Sequence, residues 1–330
     1  MLGDKDFEVL CGDSETVLKT LPDDSVDMCV TSPPYFSLRS YRAGDKEIGQ
    51  EDSPIDFVNR LASVFRELRR VLKPCGTLWL NLGDTYNSAW KELPTKNLLG
   101  IPWRVAFALQ DDGWILRSDI IWHKPNAIPN SCTDRCSTAH EYIFMFAKQQ
   151  KYYFDYEAIE EEATGYDGLK DTLLKGSPKY SQGDYLADGT PNSFSSRGHE
   201  RWKFKQIPQH KNLMEDEKGQ TNHSFHKRRA EGLPDEVYPV RRKRDVWSVP
   251  TIGYEGAHFA TFPEKLVEPC ILAGCPKHGL VMDCFSGAGT TGVVAVKNHR
   301  RYIGIELNKE YVELSMKRIA EETAQQTFDF

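Results

Sequence analysis

Apolar residues along this chain fall into two rhythms, short runs and helical periods, and the two alternate. Residues 7–11 and 26–31 read as strands, with a helix over 15–21 between them. Between 55 and 71, Phe57, Leu61, Val64, Phe65, Leu68 and Val71 recur at helical spacing, and Leu72 follows. Pro74-Cys75-Gly76 predicts the end of that helix, and 77–82 the next strand. A helix over 98–109, with Pro102 near its start, precedes two late strands at 114–122 and 142–146. The rhythm fails over 161–245, where few apolar residues are spaced to build a core, so this stretch reads as a loop-rich insert. It resumes with a strand at 280–284, the turn Ser286-Gly287-Ala288-Gly289, a helix at 290–298, a strand at 302–306 and a helix at 309–322.

Strand–helix alternation of this kind implies an α/β fold with a mainly parallel sheet covered on both faces. Residues 1–160 and 246–330 supply that domain, and 161–245 interrupt it. The strand that ends in a glycine turn, usually first in a nucleotide-binding sheet, lies near the C-terminus. If the last helix led into the strand at 7–11, the sheet would run in ordinary Rossmann-like order. The chain therefore reads as a circular permutation with neighbouring termini.

Hydrophobic residues make up 39 % and charged residues 27 % of the 330, an ordinary globular balance. Residues 1–8 carry charge of both signs and no apolar signal core. No apolar stretch approaches the ~20 residues of a membrane helix. A cytoplasmic protein without a membrane partner is expected, and the 8 scattered cysteines suit reduced, mostly buried thiols. The net charge of −6 argues at first against a nucleic-acid partner. Its distribution argues the other way: residues 197–244 hold 13 Lys and Arg against 7 Asp and Glu, leaving −12 on the remainder. An acidic body with one basic segment is an electrostatic footprint for a polyanion, or else an ordinary solvated loop.

Two loops carry candidate chemistry. Asp283-Cys284-Phe285-Ser286-Gly287-Ala288-Gly289 closes a strand and opens a helix, and glycines let backbone approach a ligand closely. Glu306, at the end of the next strand, stands where a carboxylate meets ribose hydroxyls. A tight structural turn is the alternative. No P-loop lysine follows, so a nucleoside without phosphates fits as well as a dinucleotide. The second loop is Thr31-Ser32-Pro33-Pro34-Tyr35, directly after a strand. Two prolines fix φ and remove two donors, leaving carbonyls free to accept. Ser32 Oγ and the Pro33 carbonyl can then take an amino group beside the face of Tyr35, as an extruded base requires. A loop that merely ends a strand is the other reading.

These motifs and their order resemble the β-arranged amino-methylating (cytosine-N4 or adenine-N6) DNA methyltransferases over nearly the whole chain. Leu72-Lys73-Pro74-Cys75-Gly76-Thr77-Leu78, Asn81-Leu82-Gly83-Asp84, Ile121-Trp122-His123-Lys124-Pro125-Asn126 and His258-Phe259-Ala260-Thr261-Phe262-Pro263 extend the likeness. Cys284 and Cys75 depart from the family's usual proline and glycine. The resemblance implies a permuted Rossmann-like fold with a target-recognition insert, and S-adenosyl-L-methionine as cofactor. Its methionine end would meet Asp283 and the turn at 285–289, including Phe285, Gly287 and Gly289, with Cys284 and Thr290 in the same set. Glu306 would take the ribose, Asp13 the adenine amine, and Phe259, Phe262 and Pro263 would wall the methionine. Asp13 also reads as a helix cap, and the two phenylalanines as core aromatics.

Ser32, Pro33, Pro34 and Tyr35 would form the catalytic loop. Serine at 32, instead of Asp or Asn, resembles the cytosine-N4 group, with adenine N6 the alternative. Direct transfer needs no cysteine nucleophile. Double-stranded DNA is the implied partner, contacted by Arg39, Lys227, Arg228, Arg229, Arg241, Arg242, Lys243 and Arg244. The resemblance admits a cognate restriction endonuclease, and either a monomer or a homodimer. Methylation of RNA or of a protein amide, and a catalytically idle DNA-binding regulator, are the competing functions. Cys132, Cys136 and His140 match no common zinc spacing, so no metal is expected.

Overall fold

Strand β2 (Val26–Thr31) is buried at all its positions, so the sheet around it is covered on both faces. In the computed structural model, residues 5–37, 47–128, 131–162, 240–251 and 262–326 are described. The chain divides into two units, one of 1–159 with 242–330 and one of 160–241.

In the first unit the elements follow as β1 (Phe7–Cys11), α1 (Ser14–Leu18), β2, α2 (Pro54–Val71), β3 (Leu72–Leu82), α3 (Ile101–Asp111), β4 (Ile115–His123) and β5 (His140–Ala147). In the second, β6 (Glu161–Glu162) pairs antiparallel with β7 (Val240–Arg241). The first unit resumes with β8 (Val246–Ser248), α4 (Glu264–Gly274), β9 (Leu280–Asp283), α5 (Thr290–Lys297), β10 (Arg301–Glu306) and α6 (Lys309–Gln326). The described strands of this unit form one sheet in the order β1-β10-β9-β2-β3-β5-β4-β8. Only β5 runs against its neighbours.

The expected α/β class is borne out. So is the permutation: β1 pairs parallel with β10, and α6 packs on both. Helices α1, α2 and α3 share one apolar core with the sheet, and α4, α5 and α6 share the other.

Element ends differ from the expectations for local reasons. Helix α1 stops at Leu18, where the bonding tightens to Thr20 N on the Val17 carbonyl and Leu21 N on the Leu18 carbonyl ahead of Pro22. Helix α2 starts at Pro54, capped by Ser53, whose Oγ accepts from Asp56 N at 3.1 Å. It ends at Val71, before the Pro74-Cys75-Gly76 stop. Those three residues fall inside β3 at an irregularity: Val26 pairs with Leu72, but Met28 pairs with Thr77. Helix α3 begins at Ile101 instead of 98, after Gly100 in left-handed backbone (φ 67°), with Asp84 Oδ1 accepting from Ile101 N. The thiols are less buried than expected: Cys29, Cys270, Cys275 and Cys284 are interior, whereas Cys11, Cys75 and Cys136 are exposed, Cys11 because it ends an edge strand.

Candidate active site

Parallel strands end together, so the carboxyl ends of β1, β10, β9, β2, β3 and β4, with the start of antiparallel β5, line one edge of the sheet. Along that edge lie Asp13, Glu306, Asp283, Ser32, Asn81, Glu141 and Lys124.

Asp283 ends β9 and is 1 % exposed. Its carboxylate accepts from Thr31 Oγ1 at 2.6 Å, Thr291 Oγ1 at 2.6 Å and Phe285 N at 2.9 Å. Burial raises its pKa against these three donors. Asp283 therefore binds the two loops together: Thr31 leads into the Pro-Pro loop, and Phe285 opens the glycine turn. Gly289 has φ 80°, left-handed backbone that disfavours other residues, and N-caps α5. Thr290, first in α5, is buried. Glu306 Oε2 accepts from Gly287 N at 2.8 Å and Oε1 from Asn308 N at 2.8 Å. Burial raises its pKa against those bonds. A carboxylate has about four acceptor positions, so the two used here leave capacity for hydroxyls.

Asp13 is the N-cap of α1: Oδ1 accepts from Thr16 N at 3.0 Å and Thr16 Oγ1 at 2.6 Å, and Arg60 lies 3.4 Å from Oδ2. The capping alternative thus holds for Oδ1. Cys284 is buried, its sulfur 3.8 Å from Cys29 Sγ, and its carbonyl accepts from Ser14 Oγ at 2.6 Å. The ring of Phe285 meets Phe65 edge-on at 6.5 Å. Phe262 shares a small pocket with Thr31, Asn81 and Leu266, and Pro263 caps α4. Phe259 lies outside the described residues.

On the reactive loop, Ser32 Oγ is 3.2 Å from Asn81 Oδ1. Tyr35 OH is 2.7 Å from Glu141 Oε2 and 3.0 Å from Asn81 Oδ1. Asn81 Nδ2 donates to the Tyr142 carbonyl at 3.1 Å and to Glu141 Oε2 at 3.3 Å. Lys124 pairs with Glu141 Oε1. Gly83 backs the Tyr35 ring so closely that a Cβ there would sit 2.6 Å from Cε2. Asn81 and Gly83 belong to a motif that the sequence marks without giving either a role. Glu141 carries no such signal, since it stands at the head of an apolar strand.

Of the basic residues, Arg39, Lys227, Arg228 and Arg229 lie outside the described residues. Arg241 is ion-paired with Glu161 at 3.0 Å. Arg242 lies over the Tyr156 ring at 4.8 Å and Lys243 over the Trp247 ring at 5.1 Å. Among the described residues no group of three His, Cys, Asp or Glu is placed to hold a metal. No described helix is long and apolar enough to cross a membrane.

The family model described as "DNA methylase", of the N6/N4 type, matches residues 26–317. The type II methyltransferase M.Cfr9I of Citrobacter freundii is 38 % identical, over 93 % of this chain and 86 % of that protein. M.SmaI of Serratia marcescens is 35 % identical over 94 % and 90 %. Among solved structures, PvuII DNA methyltransferase, cytosine-N4-specific, shares the fold with a TM-score of 0.56 and 21 % identity over 97 % and 94 % of the two chains. A Thermus thermophilus protein complexed with S-adenosyl-L-methionine has a TM-score of 0.55 and 23 % identity over 96 % of each chain.

Proposed function

We propose, for a chain that belongs to the DNA methylase family, that it transfers the methyl group of S-adenosyl-L-methionine to the N4 amino group of cytosine in double-stranded DNA. The observation that carries this reading is the 2.6 Å bond from Thr31 Oγ1 to Asp283 Oδ1, which ties the amine-accepting loop to the glycine turn.

The residues fit such a cofactor in order as well as in kind. Asp13, Glu306, the turn after Asp283 and Ser32 stand at the carboxyl ends of four successive strands, β1, β10, β9 and β2. At ~4.8 Å per strand they span about 14 Å. Asp13 would hold the adenine, Glu306 the ribose and the turn after Asp283 the methionine, which would leave the methyl group on the side of Ser32. Phe262 and Pro263 close the methionine side. The bound cofactor supplies an electrophilic methyl. The chain's own part is to make an aniline-like nitrogen nucleophilic. Ser32 Oγ and the Pro33 carbonyl accept its two N–H groups and draw the lone pair out of conjugation, with the base stacked beside Tyr35. Transfer would form the N–C bond as the sulfonium's bond to methyl breaks, leaving S-adenosyl-L-homocysteine, and the methylated amine would then lose one proton to solvent. Asp283, enclosed by three donors, acts by holding the turn.

Serine at 32 supports cytosine, and the fold is shared with a cytosine-N4-specific enzyme. Phosphates of the duplex would be met by the basic runs at 227–229 and 241–244, and by Arg39. The test is transfer of a labelled methyl group to DNA, RNA and protein, followed by nucleoside analysis. N4-methylcytosine in duplex DNA is expected. N6-methyladenine would replace the target base, and label in RNA or protein, or in nothing, would overturn the reading.

A further inference from the structure

Glu141 and Lys124 form an enclosed ion pair that the proposed transfer does not use. Their side chains are 15 % and 19 % exposed, at the start of β5 and just past the end of β4. An enclosed pair is costly to build and gives no clear gain in stability over apolar packing, so what else it holds matters. Lys124 takes Oε1 of Glu141. The other oxygen, Oε2, meets Tyr35 OH at 2.7 Å and Asn81 Nδ2 at 3.3 Å. Those two side chains flank Ser32.

The amide of Asn81 is the joint of this arrangement. Its nitrogen faces two acceptors, Glu141 Oε2 and the Tyr142 carbonyl, so its oxygen must face the hydroxyls. Tyr35 OH has one hydrogen, and the shorter contact assigns it to Glu141. Asn81 Oδ1, 3.2 Å away, is then the nearer acceptor for the hydrogen of Ser32, with the Tyr35 oxygen at 3.5 Å. A serine whose own hydrogen is engaged presents only lone pairs on its open side. Were the amide reversed, Asn81 would donate to Ser32, and the serine hydrogen would keep only the longer contact to Tyr35 or swing toward the target amine, donor against donor.

We infer that Glu141 is a positioning residue for the transfer: anchored by Lys124, it fixes the Asn81 amide and Tyr35 so that Ser32 remains an acceptor. This rests on the proposed amine methylation and adds to it a residue that touches neither substrate nor cofactor.

A double-mutant cycle on methyl transfer to duplex DNA tests it, using S32A, E141A and the double variant. E141A lowers kcat roughly tenfold or more, as loss of a held hydrogen bond implies. Its KM values for DNA and cofactor stay within about twofold of the parent. In the S32A background the same substitution costs nothing further. If E141A does not fold, E141Q is read in the same cycle, because either orientation of its amide sets a donor against a donor, at Lys124 or at Asn81 Nδ2. An unchanged kcat, or losses that multiply in the double variant, overturn the inference. A fully active S32A would instead remove the amine-acceptor reading on which it stands.

Discussion

In the proposed transfer Ser32 receives a hydrogen of the amine, and its own hydrogen has a destination within the protein, Asn81 Oδ1 at 3.2 Å. Replacing Ser32 by Ala removes an acceptor used as the nitrogen becomes nucleophilic. Turnover should fall roughly 10²–10³-fold, by analogy with loss of a preorganised polar partner in other enzymes. Cofactor affinity measured by titration calorimetry should be unchanged. Glu306 gives a second prediction. Burial raises its pKa, and ribose hydroxyls are best received by the ionised form. Binding therefore favours deprotonation, and affinity should weaken as pH falls, beginning above the ordinary glutamate range. Glu306→Gln should bind more weakly at neutral pH and lose that slope in calorimetry across pH.

Ser32 and Glu306 are legible in the sequence because local features mark them: paired prolines after a strand, and a carboxylate one strand beyond a glycine turn. Asn81 and Glu141 are not. Their roles arise only when β3 and β5 pair antiparallel and bring Asn81 opposite Ile143, two residues from Glu141.

At the scale of elements, the site depends on β2 and β9 lying side by side with their ends tied. Met28 and Cys29 pair with Val281 and Met282, and Thr31 reaches Asp283. Thr31→Val removes that tie inside a buried setting. It should cost roughly 1–2 kcal/mol in denaturant unfolding, with a lower kcat because the loops lose their common anchor. Gly83→Ala places a methyl into the ring of Tyr35. The ring must move, so transfer should fail while cofactor titration stays normal. Most elements are legible from periodicity, since the apolar stripe of α2 and the short apolar run of β2 admit few alternatives. Their ends are less so. The irregularity that draws Pro74-Cys75-Gly76 into β3 depends on pairing with β2, which helix-stop rules do not contain.

For the whole molecule, charge is divided between an acidic body and a basic segment at 197–244. If that segment meets phosphates, log affinity for duplex DNA should fall against log salt with a slope of roughly −3 or steeper. Fluorescence anisotropy across salt concentrations measures this, and charge removal at Lys227, Arg228 and Arg229 should flatten the slope. The permuted order is legible because the glycine turn stands near the C-terminus, and it places both loops on one edge of one sheet. The most direct test of that arrangement is a structure of the protein with S-adenosyl-L-homocysteine and a target duplex. The sulfur should lie at the turn after Asp283, facing an extruded cytosine whose amino nitrogen contacts Ser32 Oγ and the Pro33 carbonyl. A base still stacked in the duplex, or a cofactor bound away from that turn, would contradict it.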